Sequence, residues 1–93
     1  MPAIRFRISG HVQGVGFRAY ACAAARTYSV GGWVCNRRDG TVEGEAWGAE
    51  EALARFLAHL QAESGPGTVT ALETEAVVAD PAATHRFTIR SSY

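Results

Sequence analysis

Apolar and polar residues alternate over Ile4-Arg5-Phe6-Arg7-Ile8-Ser9, the period of a half-buried strand. The pattern predicts a first strand over 4–10, with Ile4, Phe6 and Ile8 inward and Arg5 and Arg7 outward. From Phe17 to Tyr28 the chain has no Gly or Pro and is rich in Ala, which suits a helix from about 18 to 28. Phe17, Ala21, Ala24, Ala25 and Tyr28 mark one face, and the small alanines let that face lie close to a sheet. Val30 to Asn36 reads as a second strand. Arg37-Arg38-Asp39-Gly40 reads as a tight hairpin turn, because Asp-Gly tolerates positive φ. A third strand over 41–47 sets Val42, Gly44 and Ala46 against Glu43, Glu45 and Trp47. Gly44 in mid-strand signals close backbone approach or a bulge. Leu53, Phe56, Leu57 and Leu60 recur at i, i+3, i+4 and i+7, the stripe of an amphipathic helix. Glu50 and Glu51 fall in its first turn, where the helix dipole favours them, and Ser64-Gly65-Pro66-Gly67 stops it. His59 lies beside the stripe and reads as a surface residue. A long strand follows from Val69 to Val78, with Val69, Ala71 and Val77 as its apolar positions and no clear register. The last strand, 85–90, places Phe87 and Ile89 inward.

The order β-α-β-β-α-β, with a further strand at the end, predicts an α+β fold of the split βαβ, ferredoxin-like kind. It is a sandwich of an antiparallel four- to five-stranded sheet with two helices on one face. Ninety-three residues suit one domain, 1–93, with a modest core that needs no staples. Nine basic residues, all arginine, balance nine acidic ones. That neutrality, with the arginines scattered, argues against a broad nucleic-acid surface. No apolar run is long enough to span a membrane, and the first residues lack a charged-then-apolar signal pattern, so a cytoplasmic location is expected. Cys22 and Cys35 form no Cys-x-x-Cys motif and have no His at zinc spacing. They read as two small apolar residues; a disulfide would need their Cα atoms within about 7 Å.

The stretch that carries chemistry runs out of the first strand into the first helix, Ser9-Gly10-His11-Val12-Gln13-Gly14-Val15-Gly16-Phe17-Arg18. Its glycines allow a tight turn, close approach to a ligand and positive φ. A helix start offers N–H groups without intrahelical partners, and the dipole there favours an anion. Arg18 opposes that dipole, yet its planar fork over the N–H groups suits a phosphate. A Gly-rich turn with a solvated Arg18 fits the same residues. The common nucleotide loops do not: there is no Gly-Lys-Ser/Thr, and the Gly-x-Gly-x-x-Gly fingerprint lacks its third glycine. Asn36, at the end of the second strand, is open to two readings, a turn residue or a second site residue beside the loop.

Gly10 to Arg18 resembles the first signature of the acylphosphatases, and Gly32-Trp33-Val34-Cys35-Asn36-Arg37-Arg38-Asp39-Gly40-Thr41-Val42-Glu43 resembles their second, at a matching spacing. Gly48 to Leu53, Gly65 to Val69 and Phe87 to Ile89 extend the resemblance over nearly the whole chain. The resemblance implies hydrolysis of the carboxyl–phosphate bond of acyl phosphates to carboxylate and inorganic phosphate. It puts the phosphate-binding arginine on Arg18 and the water-orienting asparagine on Asn36. The phosphate cradle of backbone N–H groups falls on Val12, Gln13, Gly14, Val15, Gly16 and Phe17. No cofactor and no metal are expected, and His11 reads as a bystander. The expected partners are a small acyl phosphate and inorganic phosphate, without nucleic acid or membrane, and the expected state is a monomer. Three positions depart from the family pattern. Ser29 replaces a helix-ending glycine, Ala49 a proline, and Cys35 a charged or polar residue.

Two runner-up readings accompany this one. The same signatures open the hydrogenase-maturation carbamoyltransferases, whose zinc-finger cysteines are not found here. The same fold also serves non-enzymatic anion or RNA binders, which display aromatics on central strands. Exposure of Phe6, Phe87 and Ile89 on the open sheet face would favour the latter.

Overall fold

The computed structural model describes residues 1–91. The leading alternation forms β1, Pro2–His11, and the Ala-rich stretch forms α1, Phe17–Tyr28. β2, Gly31–Asn36, and β3, Val42–Trp47, flank the predicted turn; α2, Glu50–Leu60, β4, Thr68–Val78, and β5, Phe87–Ile89, complete the chain. The strands lie in the order β4-β1-β3-β2-β5. β3 is the middle strand, between β1 and β2, and Phe6 of β1 stands opposite its Gly44.

The core lies between the sheet and the helices. Phe6 and Ile8 of β1 point into it as expected, joined by Val34, Val42 and Ala46 from the neighbouring strands. From α1 come Phe17, Ala21, Ala24 and Ala25, and from α2 Leu53, Phe56 and Leu60. Phe56 binds the layers together, its ring 5.9 Å from Phe6 and 5.6 Å from Phe87. The tip of the Phe6 ring fills the space over Gly44, which is the close approach that the mid-strand glycine signalled. On the other face, Arg5, Arg7 and Arg37 converge on Glu43 at 3.3, 3.6 and 2.7 Å. Glu43 is buried there, its charge met by three guanidinium groups, as a buried carboxylate requires.

Four expectations are corrected. The sheet is mixed rather than wholly antiparallel, because β5 pairs with β2 in parallel. The chain reverses after β4, so β5 runs in the direction of β1 and β2. β1 already has two neighbours, and the remaining edge is that of β2, which β5 meets in parallel. In β4, Ala71 is exposed while Val69 and Leu72 pack against the core. The cause is a bulge: Ser9 pairs with Ala71 but Gly10 pairs with Val69, so Thr70 is an extra residue and the faces exchange. Ile89 is 48% exposed rather than inward, because it stands at the end of the short β5, where a pocket opens. His59 is half-buried, not on the surface: its ring stacks on Tyr20 at 5.1 Å and meets the Tyr28 hydroxyl at 3.2 Å. It wedges between the two helices.

Candidate active site

After His11 the backbone leaves the sheet and bends through residues 13–16 into α1. Gly14 and Gly16 have φ of 74° and 83°, the left-handed region that a side chain disfavours. Gly16 caps α1 with no side-chain hydrogen bond, and no acidic residue stands in the first turn. The first backbone bond of the helix is from Tyr20 N–H to the Gly16 carbonyl, 3.0 Å. The N–H groups of Phe17, Arg18 and Ala19 therefore lack intrahelical partners, and the positive end of the dipole is uncovered.

The loop is fastened from several sides. Val12 and Phe17 are buried and Val15 packs against the core. Gly67 passes so close to the His11 carbonyl that a Cβ there would collide with it. The Gln13 side chain crosses to the β2–β3 turn, where its Nε2 donates to the carbonyls of Arg37, 2.7 Å, and Thr41, 2.9 Å. That turn is itself braced by Asp39, whose Oδ1 accepts from the Thr41 hydroxyl, 2.6 Å, and the Thr41 N–H, 3.0 Å.

A pocket of about 280 Å³ opens at the start of α1, lined by Val12, Gly14, Gly16, Phe17, Arg18, Ala19, Asn36 and Ile89. Among the described residues Arg18 is its one charged side chain and Asn36 the other polar one. Both are half-buried. Among the described residues no carboxylate pairs with Arg18. The loop after β1 and the end of β2 thus border one cavity, as the split βαβ order allowed. Of the residues expected in the cradle, Val12, Gly14, Gly16 and Phe17 line it. The side chains of Gln13 and Val15 point elsewhere, so only their backbone is available to a ligand. His11 is exposed and outside the lining. Ile89 and Ala19 were not foreseen. Ile89 reaches the site only because β5 crosses to the edge of β2, which no local pattern encodes.

A larger groove, about 510 Å³, lies on the opposite face around Arg5, Arg7, Arg37 and Glu43. There the arginines are engaged by Glu43, and Glu73 and Glu75 add negative charge along the rim. An anion is better served at the first pocket, where no acid among the described residues meets Arg18. Neither thiol is primed as a nucleophile: burial, then the Glu43 charge, pushes Cys35 up, and burial pushes Cys22 up. Both are free thiols.

The family model described as Acylphosphatase matches residues 4–89. The chain belongs to the acylphosphatase family. An acylphosphatase of Bacillus licheniformis is 45% identical over 75 residues, 81% of this chain and 83% of that protein. The crystal structure of an acylphosphatase from Bacillus subtilis superposes with a TM-score of 0.86 at 35% identity, covering 97% of this chain and 99% of that one. Full-length HypF, in a phosphate- and nucleotide-bound form, matches with a TM-score of 0.86 at 28% identity; 98% of this chain corresponds to 12% of that one. The chain is thus an acylphosphatase-family enzyme with the ferredoxin-like architecture, and the family acts on small acyl phosphates. The HypF-like reading has the weaker support, lower in identity and confined to a small part of that protein. The RNA-binding reading loses its premise. Phe6 is in the core, Phe87 packs on Phe56, and Ile89 lines the pocket. The aromatics on the open face are otherwise engaged: Trp33 has Arg90 over its ring at 4.4 Å, and the Trp47 Nε1–H donates to the Thr84 carbonyl at 2.6 Å.

Proposed function

We propose that residues 1–93 act as one acylphosphatase domain that hydrolyses acyl phosphates by direct in-line attack of water at phosphorus. One observation carries the reading: a pocket at an uncovered helix start whose polar side chains, among the described residues, are Arg18 and Asn36. The substrate is a mixed anhydride. Its leaving group is a carboxylate whose conjugate acid has a pKa of about 4–5, so it departs as an anion without a general acid. The remaining tasks are to hold the phosphoryl group, neutralise its charge and aim a water. Arg18 and the N–H groups of Val12 to Phe17 do the first two, in the manner of an oxyanion hole. The Asn36 amide oxygen accepts from the water and aims it. As the water oxygen bonds to phosphorus, the bond to the acyl oxygen breaks and carboxylate leaves with the electron pair. The water's protons pass to phosphate and solvent. The permanent charge of Arg18 supplies what a metal would otherwise bring. The same reading takes the enzyme as a cytoplasmic monomer without nucleic-acid or membrane partners, in keeping with its balanced charge.

Hydrolysis of benzoyl phosphate with a chelator present tests this. Wild type turns over; Arg18→Ala loses most activity together with phosphate affinity, and Arg18→Lys is also poor because lysine lacks the fork. A wild type that is folded but inactive, or an Arg18→Ala variant of normal rate, contradicts the proposal. So does a phosphorylated protein trapped during turnover.

A further inference from the structure

We infer that the Gln13 side chain is a positioning residue that fixes Asn36 relative to the phosphate cradle. The inference rests on the reading of Asn36 as the residue that aims the water. Gln13 belongs to the cradle by its backbone, yet its side chain leaves the pocket. Its amide meets two carbonyl oxygens, at 2.7 and 2.9 Å. Only the NH2 end can satisfy two acceptors, so the chemistry fixes which way the amide points.

Those two carbonyls are the ones that close the turn after Asn36. Arg37 N–H donates to the Thr41 carbonyl, 2.9 Å, and Gly40 N–H to the Arg37 carbonyl, 3.2 Å. Asn36 needs such support. Its pairing with Val42 is the last rung between β2 and β3. On its other side the β2–β5 ladder ends at Val34 and Ile89, two residues earlier. Gln13 therefore ties the loop that holds the phosphoryl group to the strand end that carries the amide. One side chain sets the spacing between the two halves of the site. That spacing matters because a shift of ~1 Å in a positioned group costs about a hundredfold in rate.

A double-mutant cycle on benzoyl phosphate hydrolysis tests the inference. It compares wild type, Gln13→Leu, Asn36→Ala and the double variant, with the inhibition constant of inorganic phosphate measured for each. Gln13→Leu lowers kcat by roughly tenfold, a partial misplacement, and leaves phosphate inhibition within about twofold. In the Asn36→Ala background Gln13→Leu then has little further effect on kcat, because residues acting as one unit are not additive. Losses that multiply in the double variant overturn the inference, since a merely structural weakening acts whether or not Asn36 is present. Weaker phosphate inhibition at unchanged kcat overturns it too, by giving Gln13 a role in the cradle alone. Gln13→Met keeps the length, offers no donor and adds no charge, and it repeats the cycle should leucine disturb folding. An inactive wild type removes the underlying reading and the inference with it. An active wild type with additive losses removes the inference alone.

Discussion

Ser29 has φ 59° and ψ 47°, the one left-handed non-glycine among the described residues. It ends α1 with a bond from Val30 N–H back to the Ala25 carbonyl, 2.9 Å, the geometry that favours glycine. Serine there carries the Cβ penalty of left-handed backbone, partly offset because glycine loses more freedom on folding. Ser29→Gly therefore stabilises the fold by about 0.5–1 kcal/mol. Urea denaturation measures it, and an unchanged or lower midpoint contradicts this account of the strain. The position was legible in the sequence as a departure from the family pattern, because a helix C-terminus states its backbone requirement locally. The role of the Gln13 side chain was not legible. Its partners are backbone carbonyls 24 and 28 residues away, and a carbonyl has no signature in a sequence.

At the level of elements, the turn between β2 and β3 supports the site through Asp39. The Thr41 hydroxyl, then the Thr41 N–H, hold the Asp39 carboxyl below the ordinary aspartate value of 3.8, with Arg37 and Arg7 adding to the shift. The folded-state value is the lower one, so this support is complete above the unfolded value and is lost as pH falls through the folded one. Carbon-detected titration by NMR finds the Asp39 midpoint below 3.8 in wild type. In Thr41→Val, which removes the largest cause, the midpoint moves back up. A midpoint that Thr41→Val leaves in place contradicts the assignment. β2, buried on both faces, shows no alternation and was readable from the turn that follows it; both helices, β1 and β3 were readable from their periods. β4 was not, because the bulge at Thr70 reverses which residues face the core, and a periodic pattern presumes an unbroken period.

For the whole molecule, the site exists because chain order brings distant ends together. The loop after β1, the end of β2, the end of β5 and the first turn of α1 meet around one cavity, with Arg18 and Asn36 as its polar groups. The sheet's open face is given over to ionic pairing around the buried Glu43 instead. Arg18 and Asn36 were legible from two motifs and their spacing. Ile89 was not, because its place depends on β5 crossing to the far edge of the sheet. The proposed mechanism divides the labour: Arg18 and the cradle hold the phosphate, and Asn36 aims the water. The most direct test is to measure kcat for benzoyl phosphate and the inhibition constant of inorganic phosphate for Asn36→Ala beside wild type. On this mechanism kcat falls by about a hundredfold or more, the scale of losing one positioned polar group, while phosphate inhibition stays the same. Full turnover in Asn36→Ala, or a loss of phosphate inhibition that matches the loss of rate, would contradict it.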